Sequence, residues 1–227
     1  MPSAVGPAGK SPFHSIPMKK SHSQIVSGKS SLISTLLRML ELDSGTISID
    51  GIDISTVPRE DVRSRINTLP QEPFFMHGSV RENIDPLQIA SDERIAGILR
   101  DINMWEFFEI KGGLDEDMDE DILSHGQRQL FCLGRAVLQP GTILIMDEAT
   151  SSVDADTDEL MQRVLRQEFS SHTIIAIVHK LHTILDFDRV VMLDKGHIIE
   201  SGNPRGLLDA PASAFRALFE SHHGNVK

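Results

Sequence analysis

Several things are scarce in this sequence, and each shortage narrows what the protein can be. There is one cysteine, Cys132, so no internal disulfide can form, and its place in the apolar run LFCLG makes it a core thiol. No apolar run approaches the roughly 18 residues that span a bilayer. The N-terminus lacks the apolar segment of a signal peptide. Positive charge is short: 22 Lys and Arg stand against 33 Asp and Glu, a net charge of −11. A general binder of nucleic-acid backbones needs a basic surface, so that class is disfavoured. Residues 1–22 have no acidic side chain, yet carry Pro2, Pro7, Pro12, Pro17 and many serines. Such composition cannot offset its ordering entropy, and a disordered tail is expected there. Its lack of arginine and its prolines count against a transit peptide.

What is present fits a folded domain. With 227 residues, 40% of them hydrophobic, the chain can build one good-sized core, or a core with a subdomain attached. The stretch SQIVSGKSS, Ser23 to Ser31, ends like a phosphate-binding loop, in which backbone N–H groups curl around an anion at a helix start. The general pattern is G-x-x-x-x-G-K-[ST], with lysine on the terminal phosphates and the hydroxyl on magnesium. Gly28, Lys29 and Ser30 fit it, while Ser23 stands where the first glycine belongs. Taken alone, this short match reads better as a polar turn opening a helix.

Downstream, Leu32, Leu36, Leu37 and Leu40 recur at helical spacing until Asp43-Ser44-Gly45. TISIDGIDI reads as a hairpin turning at Asp50-Gly51, with Ile47, Ile49, Ile52 and Ile54 in its arms. A helix is expected from Ser91, with Asp92 and Glu93 in its first turn and Ile95, Ile98, Leu99 and Ile102 on one face. Leu130, Leu133 and Val137 mark another, beginning near Gly126. INTLPQ, TILIMDE and TIIAIVH each run apolar and finish in polar groups, as strands buried on both faces of a parallel sheet do. Ligands of open α/β sheets bind beyond the carboxyl ends of the strands. Gln71, Asp147, Glu148 and His179 should then line one rim, joined by the Lys29 loop if a strand precedes it. Each has a plainer reading: Gln71 as a loop amide, Asp147-Glu148 as a solvated turn, His179 as a strand-end histidine or, with His182, half of a metal site. Their occurrence in order, downstream of Gly-Lys-Ser, favours the shared rim.

LSHGQRQL, Leu123 to Leu130, resembles the signature motif of the nucleotide-binding domain of ATP-binding cassette (ABC) transporters. ILIMDEA resembles that family's Walker B strand and catalytic glutamate, SSVDADT its D-loop, LPQEP its Q-loop, and the IVH ending at His179 its switch histidine. The likeness covers about residues 24–220 and is greatest to the second cassette of subfamily C, the multidrug-resistance-associated type. It implies an α/β fold of the P-loop NTPase class, a RecA-like core over 23–72 and 141–227. A helical subdomain would be inserted at about 73–140, beside an antiparallel β lobe that is incomplete here.

The resemblance further implies an ATPase that drives export, with ATP and Mg2+ as its cofactors. Gly28, Lys29, Ser30 and Ser31 would hold phosphates. Ser30, Gln71 and Asp147 would hold magnesium, Glu148 would polarise the attacking water, and His179 would hold the γ-phosphate. Ser124, His125, Gly126 and Gln127 would cap the nucleotide of a second cassette in a head-to-tail dimer. The partners implied are that cassette and transmembrane domains, with no nucleic acid; the chain, itself soluble, would work at the cytoplasmic face of a membrane. A soluble cassette acting on nucleic acid or ribosomes is the runner-up, disfavoured by the acidic balance and the signature type.

The departures from the family lie at the N-terminal end. Ser23 and Val26 replace glycines, no tyrosine exists to stack on adenine, and HSQIV offers only Ile25 and Val26 where an apolar strand should enter the loop. Phe13 is the nearest upstream aromatic. Three readings compete: an ATPase whose N-terminus compensates, a non-catalytic or degenerate cassette kept for docking, and a truncated or mis-spliced piece of a larger transporter. The third is the expectation, with ATP bound poorly or not at all.

Overall fold

The computed structural model describes residues 22–25, 29–150, 152–177 and 181–223. A six-stranded sheet organises them, in the order β4-β5-β6-β1-β7-β8. Its strands are β1 (His22–Ile25), β4 (Ile66–Leu69), β5 (Ile143–Asp147), β6 (Thr173–Ile177), β7 (Arg189–Asp194) and β8 (His197–Gly202). All neighbours are parallel except β8, which returns antiparallel along β7. A separate antiparallel hairpin joins β2 (Ser48–Ile49) to β3 (Ile52–Asp53). Asp50 and Gly51 both take positive φ, 52° and 78°, the pair that a tight two-residue hairpin turn demands.

Nine helices accompany the strands among the described residues: α1 (Lys29–Leu36), α2 (Arg59–Arg63), α3 (Val80–Ile84), α4 (Asp92–Asp101), α5 (Trp105–Lys111), α6 (His125–Leu138), α7 (Ala155–Glu168), α8 (Pro204–Asp209) and α9 (Ala214–His223). Helices α3 to α6 fall between β4 and β5 in the chain. Strand alternation assigns the two faces of the sheet. Leu144, Met146, Ile174 and Ala176 join a large core with Ile95, Ile98 and Leu99 of α4, Phe131 and Leu133 of α6, and Met161 and Val164 of α7. Their neighbours Ile143, Ile145 and Ile66 join a smaller core under Ile33, Leu36 and the hairpin's Ile47 and Ile49. The sheet is therefore covered on both faces, as the apolar runs predicted. Gly134 lets α6 lie close to α3 and α4: a Cβ there would stand 3.1 Å from Ile102 Cδ1 and 3.2 Å from Ile84 Cδ1.

Two sequence expectations change. Helix α1 stops at Leu36 rather than running to Leu40, because its end closes in a Schellman motif. Met39 N donates to Ser34 O and Arg38 N to Thr35 O, with Arg38 at φ 51° in the position that glycine usually holds. The Arg38 guanidinium donates to the carbonyls of Ile54 and Val57, anchoring that turn on the chain after β3. The second change concerns the strand thought missing before the Lys29 loop. It is present as β1, between β6 and β7, with Ser23 opposite Ile175 and Arg189. Central position compensates for a weak local sequence, since both neighbours supply the ladder. His22 belongs to this strand and not to a tail, while residues 1–21 lie outside the described residues.

Candidate functional site

The carboxyl ends of β1, β4, β5 and β6 form one rim, because all four strands run the same way. Helix α1 follows β1 onto one face of the sheet and α7 follows β5 onto the other, the arrangement that opens a crevice at strand ends. Lys29 is the first residue of α1 and Ser30 the second, so both stand at a helix start on this rim. Ser31 follows, exposed, its carbonyl accepting from Thr35 Oγ1 at 2.7 Å. Gly28, Val26 and His179 lie outside the described residues.

Asp147 ends β5 opposite Ile177, and Glu148 follows it; both side chains are half-buried. Glu148 N donates to Ile177 O at 2.9 Å, which ties Glu148 to the end of β6, two residues before His179. Glu148 also takes φ 51°, a left-handed conformation that is uncommon for a residue with a side chain and clusters at functional positions. Strand β4 ends at Leu69, earlier than its apolar run, because Pro70 cannot donate to the ladder. Gln71 is thus carried two residues past the strand, exposed, on the strand next to that of Asp147.

Ser124, His125, Gly126 and Gln127 open α6. Ser124 caps it: its Oγ accepts from Gln127 N at 3.2 Å, and Gln127 Oε1 accepts from Ser124 N at 2.9 Å. Helix geometry leaves the N–H groups of His125 and Gly126 over for an outside acceptor. Gly126 is buried against the start of α7, where a Cβ would stand 2.9 Å from Thr157 Oγ1 and 3.4 Å from Asp154 Oδ2. Asp154 caps α7 in turn, accepting from Thr157 N and Oγ1, and these bonds hold its carboxyl below its ordinary pKa. The two helix starts are therefore locked side by side. Cys132 is buried as expected, and burial pushes its thiol pKa up, which suits a core side chain.

The sequence reading missed the polar residues that hold this rim from behind. Gln129 is fully buried, and its Nε2 donates to Pro70 O at 3.3 Å and Gln71 O at 2.7 Å. Arg135 Nε donates to Asn83 O at 2.6 Å and its Nη1 to Phe74 O at 2.8 Å. Asn67 Nδ2 donates to Ala136 O at 3.0 Å. The available signal was a polar amide set within the apolar face of α6, beside Leu130 and Leu133.

Residues 27–151 match the family model of the ABC transporters. The chain is 52% identical over 195 residues to the ABC multidrug transporter B of Aspergillus fumigatus, a stretch covering 86% of this chain and 13% of that protein. It is 54% identical over 194 residues to the ABC transporter ecdL of Aspergillus rugulosus, again 86% of this chain and 13% of the relative. It is 45% identical over 202 residues to the rat ATP-binding cassette sub-family C member 2, covering 88% of this chain and 13% of that protein. The chain thus spans about an eighth of the length of these relatives. With the family model covering more than half of its residues, the chain belongs to the ABC transporter family.

Proposed function

We propose that this chain binds ATP and, with magnesium, hydrolyses it as the cassette of an exporting transporter. The observation that carries this reading is the convergence at one rim: β1 leads to a helix starting at Lys29, and β5, one strand away across β6, delivers Asp147 and Glu148 to the same rim. Lys29 neutralises charge on the β and γ phosphates, with Gly28, Ser30 and Ser31 around them. Glu148 polarises the attacking water, and His179 holds the γ-phosphate. The donor set suits a hard cation, since Asp147 and Gln71 present oxygen ligands at adjacent strand ends and Ser30 lies across the rim. Ser30, Gln71 and Asp147 would hold Mg2+, which when bound supplies positive charge against the phosphate oxygens. Ser124, His125, Gly126 and Gln127 face a second cassette's nucleotide, and transmembrane segments outside this chain are the other partner.

Within this reading α3 to α6 form the helical subdomain, at about 73–140. The hairpin β2–β3 is what this chain carries of the antiparallel β lobe. No described helix is long and apolar enough to cross a membrane. The test is titration with a fluorescent ATP analogue in magnesium. Saturable binding, lost in Lys29→Ala, is expected; binding that survives Lys29→Ala overturns the assignment.

A further inference from the structure

The segment after β4, which carries Gln71, is gripped from one helix at two points. Gln129 Nε2 reaches the carbonyls of Pro70 and Gln71, and Arg135, nearly two turns further along α6, reaches those of Phe74 and Asn83. The Arg135 guanidinium also lies over the rings of Phe75 and Phe131, 5.6 Å and 5.9 Å from their centroids. Both grips leave something unmet: Gln129 Oε1 and Arg135 Nη2 are buried without a hydrogen-bond partner among the described residues. A buried amide with an unsatisfied oxygen stabilises a core less than an apolar side chain of the same volume would, so packing does not account for Gln129. Its donor end does, because both groups it meets are carbonyls.

We propose that Gln129 is a positioning residue, which sets the Gln71 backbone at the rim and makes the Gln71 segment move with α6. Arg135 is the second anchor of the same segment. Helix α6 begins at Ser124–Gln127, so displacing its start shifts Gln71, and a ligand held by Gln71 restrains the helix start. The clamp rests on these side-chain bonds to backbone carbonyls; its consequence for magnesium rests on the role proposed above for Gln71.

Two measurements on the full chain separate these layers. The first is limited chymotrypsin cleavage between Phe74 and Phe75, exposed and half-buried respectively, followed by mass. Gln129→Met removes the donor at similar volume, and Gln129→Asn keeps the amide but falls one methylene short, so that a folding failure in one leaves the other. Either should speed this cleavage about fivefold, the factor that a net loss of one neutral hydrogen bond produces, while cleavage elsewhere in the chain keeps the parent rate. Parent-like cleavage in a folded variant, or faster cleavage throughout the chain, overturns the clamp. The second is the magnesium concentration at half-maximal binding of the fluorescent ATP analogue. Gln129→Met should raise it about as much as Gln71→Ala does, whereas an unchanged value overturns the link to the metal. A parent chain that binds no nucleotide would refute the proposed function while the cleavage result still decides the clamp.

Discussion

Glu148 combines a left-handed backbone, a half-buried side chain and a backbone tether to β6, and only the first of these works against it. Such a conformation costs on the order of 1–2 kcal/mol for a residue with a Cβ. The turn nevertheless persists, which is expected where the geometry serves a reaction. Glu148→Gln keeps the shape and removes the charge, so turnover should fall by orders of magnitude with analogue binding nearly unchanged. An equally active variant would remove Glu148 from the role. At the other end of the site, Ser23 needs no glycine, because it lies in the extended backbone of β1. The other missing glycine is at Val26, which lies outside the described residues. If the family backbone holds there, a β-branched residue opposes a left-handed conformation, and Val26→Gly should tighten analogue binding about tenfold, by 1–2 kcal/mol. Ser23→Gly alone should not, and a gain from it would mean that the strand does not extend through position 23 in solution.

At the scale of elements, the contact between the starts of α6 and α7 makes a quantitative prediction. Gly126→Ala would press a methyl group on Thr157, whose hydroxyl is held by Asp154, so the side chain cannot simply rotate away. Overpacking of this kind costs about 1–3 kcal/mol, against a helix-propensity gain of at most about 1 kcal/mol. A lower urea midpoint is expected, recovered when Thr157→Ala is added. A second prediction concerns the turn between α7 and β6. Burial lowers the pKa of His172 from its ordinary 6.5, with its ring edge-on to Phe169 at 4.9 Å. The unfolded chain then takes up the proton more readily, so this group's stabilisation is present above the ordinary pKa of 6.5 and is lost as pH falls from there through the lower folded pKa. Urea midpoints measured from pH 7.5 down to 5.5 should fall less in His172→Gln than in the parent. Much of this level was legible in advance: the hairpin at Asp50-Gly51, the α4 stripe and the three buried strands all carry strong local periodicity. What escaped was non-local. HSQI reads as too polar for a strand, yet it is held by β6 and β7 on either side. The end of α1 depends on an arginine anchored to carbonyls beyond β3. The Gln129 and Arg135 grips depend on which loop passes over α6, information that no window of sequence contains.

For the molecule as a whole, the rim holding Lys29, Asp147 and Glu148 belongs to strand ends, whereas Ser124–Gln127 belongs to a helix start locked against α7. If the two sets served one nucleotide within a single chain, the chain would be complete alone. The reading proposed above assigns them instead to opposite sides of a shared nucleotide, contributed by two cassettes, and such head-to-tail use of two different patches closes after two copies only if both sites fill. Charge argues the same way. With a net charge of −11 on each copy, two chains repel at long range, and ATP adds further negative charge. Magnesium and the N–H groups at the start of α6 must then supply the attraction across the interface. Association should therefore require nucleotide and metal together and should persist only while the nucleotide is not hydrolysed. Sedimentation of the Glu148→Gln chain with ATP and magnesium should give the mass of a dimer, with a monomer when either is omitted or when His125→Glu sets a like charge at the exposed α6 start. A dimer that forms without nucleotide, or one that His125→Glu leaves intact, would place the contact elsewhere on the surface and separate the signature residues from the site on the rim.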